Sequence, residues 1–318
     1  MNKLRVSSSP HIRSEASTQR IMLDVVIALL PTTVAGAVIF GIRALAVILA
    51  CVLSAVLAEF VFDLIVKKEQ TVTDLSAVVT GLLLGLNLHA EAPIWQCVIG
   101  SVFAIIVVKC LFGGLGCNFA NPAVAGRVFL LICFTGTLSG GAIPAIGREA
   151  GAELVTGATP LASLGAISGG GAAELPSLLD MFLGVYPGAI GEVCSAALII
   201  GFAYLVIRRV INFEVPVIFA ATVFLMFLIF TNDVTLALYQ VLSGGLLIGA
   251  IFMATDYVTT PITRSGRMIF AFGAGLITAL IRFFGNYPEG VSFAILFMNV
   301  ISPYIEKWTR TKPLGGTK

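Results

Sequence analysis

Residues 44–66 read ALAVILACVLSAVLAEFVFDLIV, an apolar stretch with Arg43 on one side and Lys67 and Lys68 on the other. Crossing the hydrocarbon core of a bilayer takes about 20 apolar residues in helical form. A backbone in lipid must also satisfy its own N–H and C=O groups, which a helix does. The stretch therefore reads as a membrane-spanning helix. Its two acids, Glu59 and Asp63, stand four apart and share one helix face.

Runs of the same character lie on both sides, near 21–41, 74–88, 94–112, 122–135, 188–207, 215–231, 236–254, 268–284 and 290–306. The runs at 74–88 and 122–135 are short and bounded by Gly or Pro, so they read as broken helices. Membranes tolerate such breaks where the freed backbone is buried in protein or lines a cavity. The expected fold is an all-α integral membrane protein with about ten transmembrane helices. Lys and Arg gather at 3–20, 67–68, 109, 208–209, 264–267 and 307–312, and by the positive-inside rule these are cytoplasmic, both termini included. The segment 136–187, rich in Gly, Ala and Ser and net acidic, is then extracytoplasmic.

Composition agrees. Of 318 residues, 58% are hydrophobic and 11% charged, with mean hydropathy +1.02. Water-facing domains carry about 25% charged residues. A net charge of +2 argues against a nucleic-acid footprint. The six cysteines show no CxxC spacing, and a total of two histidines argues against a multi-histidine metal site. Five cysteines stand in or beside apolar runs and are expected as buried thiols, Cys117 in its Gly-rich loop being the exception. The polar segment 1–20 has no small-residue cleavage site after it, so the first run is expected to stay as a helix.

Two strings recur in order. Gly81-Leu82-Leu83-Leu84-Gly85 parallels Gly245-Leu246-Leu247-Ile248-Gly249, and Cys110-Leu111-Phe112-Gly113 parallels Arg282-Phe283-Phe284-Gly285. This divides the chain into a cytoplasmic segment 1–20, a first five-helix repeat 21–135, the outer loop 136–187, a second repeat 188–306 and a tail 307–318. Five crossings per repeat is odd, so the two repeats are inverted, an arrangement that places sites near the midplane.

Four constellations carry candidate chemistry. In the outer loop, Thr156-Gly157-Ala158-Thr159-Pro160-Leu161 follows Glu153 and presents the Thr159 hydroxyl between small residues, before a proline that favours extended backbone. That suits a modifying enzyme, and equally a plain loop. Gly113 to Arg127 joins a Gly-rich turn to Asn118, Asn121 and Pro122, a helix start whose free N–H groups favour an anionic or carbonyl-bearing ligand. Ala254-Thr255-Asp256-Tyr257-Val258-Thr259-Thr260 sets an acid among hydroxyls, fit for a cation or a polar cofactor. Of the charges in or beside spans, Glu59 reads as an ion-pathway group, with Asp63 beside it. Asp63, Lys109 and Arg282 lie near helix ends, where snorkelling to the interface explains them too.

With Ser9-Pro10-His11-Ile12-Arg13, Asn118-Phe119-Ala120-Asn121-Pro122-Ala123, Thr156 to Leu161 and Ala254-Thr255-Asp256 in this order, the chain resembles the RnfD/NqrB family over nearly its whole length. The resemblance implies a bacterial plasma-membrane subunit of an ion-translocating ferredoxin:NAD oxidoreductase, not catalytic alone. It would work with membrane subunits A and E, peripheral subunits B and C and the flavoprotein RnfG. It also implies FMN esterified to Thr159 by a flavin transferase that recognises Thr156, Gly157 and Ala158. Non-covalent riboflavin is implied near Asn118 and Asn121, with Arg127 and Asp256 in the cofactor-binding set. Glu59, Asp63 and Asp256 would serve a Na+ or H+ pathway. Glu153 and Thr156 stand where the family usually has Asp and Ser, keeping the chemical group. A solute channel or secondary transporter would use the same inverted repeats, and an inert assembly scaffold would carry no chromophore.

Overall fold

The helix ends fall where the chain can cap them. In the computed structural model, which describes residues 17–138, 141–144, 156–157, 159–168, 175–285 and 289–310, α1 (Thr18–Phe40) begins at Ser17, whose hydroxyl accepts the Arg20 N–H. It ends at Gly41, with φ +80°, a backbone state glycine adopts at no steric cost. α2 (Ile42–Val66) follows at once. α3 (Ser76–Leu86) starts where the Asp74 carboxylate accepts the Ser76 N–H at 2.8 Å. α4 (Ile94–Val102) continues as a π-helix over Phe103–Cys110. α5 (Pro122–Cys133) is capped by Asn121, with proline in its first turn.

The predicted outer loop carries structure of its own. α6 (Thr135–Leu138) leads to a two-residue strand, β1 (Gly141–Ala142), paired antiparallel with β2 (Thr156–Gly157). α7 (Pro160–Ser168) and α8 (Leu178–Leu183) follow. The fold is thus mostly helical with a small ribbon, where the sequence suggested helices alone. Glu153 and Ala158 lie outside the described residues, as does the string from Ser9 to Arg13.

The rest is helical: α9 (Ser195–Ile207), α10 (Glu214–Thr231), α11 (Val234–Leu242), α12 (Leu246–Met253), α13 (Arg264–Phe284) and α14 (Val291–Thr309). Each predicted run contains a helix. Taken singly, four described helices, α1, α2, α10 and α13, are long and apolar enough to cross a membrane, and the pair α11–α12, bent by 63°, makes a fifth. Large apolar side chains such as Ile42, Leu57, Ile65, Ile207 and Ile229 point outward and exposed. In water so much exposed apolar surface would drive association; in lipid it is the matching solvent. Cys133, expected buried, is among these outward groups, whereas Cys51, Cys97 and Cys110 are buried and Cys117 is exposed as expected.

The recurring Gly strings are used differently in the two places. Gly81 and Gly85 let α3 lie against the α2 backbone: a Cβ on Gly81 would stand 2.7 Å from the Cys51 carbonyl oxygen. Gly245, with φ +62°, instead forms the turn that breaks α11 from α12, and Gly249 makes room for Val291 of α14.

α3 and α12 run in opposite directions between two cavities. A first cavity is lined by the start of α3 (Ser76, Val79, Thr80), the end of α12 (Ile251, Phe252) and Thr255 just after it. A second, much smaller one is lined by Asn87 just past the end of α3 and by Gly244 and Gly245 at the start of α12. Chain geometry explains why polar groups gather there. Helix ends leave backbone groups without intrahelical partners, and in an apolar interior those ends must meet side chains, ligands or water.

Candidate functional site

The first cavity is built on the capped start of α5. Asn121 Oδ1 accepts the N–H groups of Ala123 (3.0 Å) and Val124 (3.3 Å), while its Nδ2 donates to the Met253 carbonyl at 3.3 Å. One side chain thereby caps α5 and ties it to the end of α12. Asn118 donates to the Ala120 carbonyl at 2.9 Å and also lines the cavity. Asp256, just past α12, closes the cavity's edge and accepts from the Val258 N–H (3.3 Å) and the Thr259 hydroxyl (3.2 Å). Burial pushes its carboxyl above the usual range. An adjoining pocket shares Thr255, Asp256 and Tyr257 with the cavity and is lined further by Asn212, Thr260 and Arg267. Apart from Ser76, Thr80 and Lys109, the rest of the wall is mostly apolar, from Val25, Leu83, Leu205, Ile251 and Phe252. A mostly apolar cavity with a few converging polar groups is the usual form of a cofactor site.

Asn118, Asn121 and Asp256 are thus brought together, although more than a hundred residues of chain separate the last from the others. Arg127 is not. It follows Asn121 on α5, and the helix carries it away from the first cavity to the second. There its Nη2 donates to both carboxylate oxygens of Glu289, at 2.7 and 2.9 Å.

Glu59 and Asp63 share a face of α2, but they do not stand open. Lys109 Nζ, from the π-helical turn of α4, donates to Glu59 Oε1 at 2.7 Å, and both side chains are buried. The Thr71 hydroxyl lies 2.6 Å from Glu59 Oε1 and 2.9 Å from Asp63 Oδ2. Lys109 also reaches Ser76 Oγ and lines the first cavity. Lys109 and Arg282 therefore do not snorkel. Arg282, also buried, donates to the carbonyls of Gln240, Ser243 and Gly244 where α11 ends, a placement helix ends favour for cations.

Thr159 sits between β2 and α7. Its hydroxyl, half-buried, accepts the Ala162 N–H at 3.3 Å, and its carbonyl accepts from Ala162 and Ser163. Thr159 is therefore the N-cap of α7, and a phosphate carried on its oxygen would meet the positive end of that helix. Thr156 and Gly157 hold the preceding strand in register with Ala142 and Gly141. α7 packs on α11 and α13. Its Leu161 reaches Gly244, where an added Cβ would collide with both Leu161 and Arg282.

Sequence reading passed over Glu192, although a lone acid inside the run 188–207 carries the same signal that singled out Glu59. The buried Glu192 carboxylate accepts the Gly244 N–H.

The sequence profile of the NQR2, RnfD, RnfE family matches residues 5–315. In the Na(+)-translocating ferredoxin:NAD(+) oxidoreductase complex of Acetobacterium woodii, the subunit designated D is 47% identical, over 100% of this chain and 98% of its own. Its counterpart in the proton-translocating complex of Clostridium ljungdahlii is 40% identical over 99% and 97%. The corresponding subunit of the ion-translocating oxidoreductase complex of Escherichia coli is 36% identical over 99% of both chains.

Proposed function

Because the chain belongs to the NQR2, RnfD, RnfE family, we propose that it is the flavin-carrying membrane subunit of an ion-translocating ferredoxin:NAD oxidoreductase, moving electrons across the bilayer with Na+ or H+. The observation that carries this reading is the first cavity, which joins Asn118, Asn121 and Asp256 between mostly apolar walls. Flavin supplies one-electron chemistry when bound, and the protein supplies placement and electrostatics. Asn118, Asn121 and Asp256 would hold riboflavin's polar edge, and Lys109 brings a buried positive charge to the same wall. At Thr159 the α7 N-terminus would hold the phosphate of FMN, with Thr156 and Gly157, the rest of the string a flavin transferase would read, in the strand β2 just before it.

On this reading the ten helical runs make ten crossings in two inverted halves, with both termini cytoplasmic and Thr159 outside, in a bacterial plasma membrane. The opposed directions of α3 and α12, each starting at a break, support the inversion. Subunits A, B, C, E and G of the complex would be its partners. Relatives named for Na+ and for proton translocation both align over the full chain, so the resemblance leaves the ion open. The ion-pathway role fits Asp256 better than Glu59, whose charge Lys109 already neutralises. The relatives' names favour an electron carrier over a channel.

The test is flavin fluorescence in a denaturing gel after co-expression with a flavin transferase. A fluorescent wild-type band that disappears in Thr159→Ala is expected. A dark wild-type band, or a Thr159→Ala band of equal brightness, sinks the attachment site.

A further inference from the structure

The second cavity belongs to none of the roles above. Glu192 enters it on a loop pinned to the end of α3, where Ile190 and Gly191 donate to the carbonyls of Leu88 (2.9 Å) and Leu86 (2.7 Å). Its carboxylate accepts the Gly244 N–H, so it faces the positive end of α12. Among the described residues no Lys or Arg nitrogen lies within ion-pair distance of Glu192, and the two nearby arginines make their bonds elsewhere. Arg127 from α5 spends Nη2 on Glu289, ahead of α14; Arg282 from α13 spends Nη2 on the Ser243 and Gly244 carbonyls of the α11–α12 break and Nη1 on the Gln240 carbonyl of α11. Tyr186, ahead of α9, points its hydroxyl at the Glu192 carbonyl (3.4 Å), and α12 contributes no charged group to the lining. Arg127, with its side chain 4% exposed, keeps Nη1 without a protein partner on the cavity wall.

We propose that the second cavity is a proton-binding site with Glu192 as the acceptor, which deepens and rests on the reading of the chain as an ion-translocating subunit. Arg127 already holds Glu289, the other carboxylate on the lining, so a metal cation would find a single free carboxylate there, whereas a proton on a carboxylate needs no coordination shell. Binding forms one O–H bond on a Glu192 oxygen with a proton from solvent; no other bond changes and no electron moves. Gly244 connects the site to the flavin-attachment helix: its N–H is held by Glu192, its carbonyl by Arg282, and Leu161 of α7 packs on it.

The experiment is infrared spectroscopy of the purified chain across pH, comparing wild type with Glu192→Gln, Glu192→Asp and the exposed Asp233→Asn. Gln keeps an acceptor for the Gly244 N–H, and Asn keeps the cap of α11. A protonated-carboxyl stretch that titrates in wild type, vanishes in Glu192→Gln, shifts in Glu192→Asp and persists in Asp233→Asn is expected. No such band, an unchanged band in Glu192→Gln, or a Glu192 carboxylate band that responds to added Na+ instead of pH overturns the proposal. The measurement needs no bound flavin, so a dark gel band counts against Thr159 alone and leaves this result standing.

Discussion

Lys109 places its ammonium 2.7 Å from the Glu59 carboxylate, with both side chains almost wholly buried. Removing one partner of such a pair leaves an uncompensated charge inside the protein, at a cost of about 3–5 kcal/mol. Lys109→Ala should therefore sharply lower the thermal unfolding midpoint of the detergent-solubilised protein, and Glu59→Gln added to Lys109→Met should recover most of the loss. Equal midpoints for Lys109→Ala and the double variant would show that the charge pair is not the cause.

Gly81 meets the α2 backbone so closely that a methyl group has no room. Gly81→Ala should cost about 1–3 kcal/mol, the usual penalty of overpacking. Gly165, with open space at its Cβ position, should tolerate the same change. Thermal unfolding of the two variants side by side checks the pair.

Gly244 has φ +71°, and its missing Cβ gives space to Leu161 and Arg282. Gly244→Ala should push α7 away from the α11–α12 break. The expected result is faster proteolysis near residue 160, read by mass spectrometry of the fragments. An unchanged cleavage rate would show that α7 keeps its seat without the glycine.

His89 lies outside the helices, with ring Nε2 3.0 Å from the Thr137 carbonyl and Nδ1 buried without a partner. Burial, the largest effect, holds its pKa below the ordinary histidine range. A group whose folded pKa is depressed gives stability that is present above its unfolded pKa and lost as pH falls through the folded one. Stability should therefore decline as pH drops from about 6.5, and His89→Gln should flatten that limb of a melting-temperature profile. An identical profile in the variant would assign the decline to other groups.

Asn118 lines the first cavity and is the asparagine there that does not cap a helix. Asn118→Leu should reduce non-covalent flavin, measured by extraction and chromatography, several-fold, while the fluorescent band at Thr159 persists. Loss of both together would point to misfolding.

The helices were legible in the sequence because lipid leaves the chain little choice. Each apolar run must close its own backbone hydrogen bonds, so length and hydropathy placed a helix in every one. The Asn121 cap was equally local, since Asn before Pro encodes a helix start within three residues. The break between α11 and α12 was not read from the run 236–254, because Gly244 and Gly245 act through backbone angles that hydropathy does not register.

What the sequence determined by itself was the list of apolar segments, the charges embedded among them and the Thr159 string. Only the tertiary structure decided which polar groups meet. Lys109 finds Glu59 across 50 residues, Gly244 finds Glu192 across 52, and Arg127 finds Glu289 across 162. No local spacing encodes such pairs. They form because a buried charge or helix end in an apolar interior is costly until something polar satisfies it, and packing settles which group is near enough.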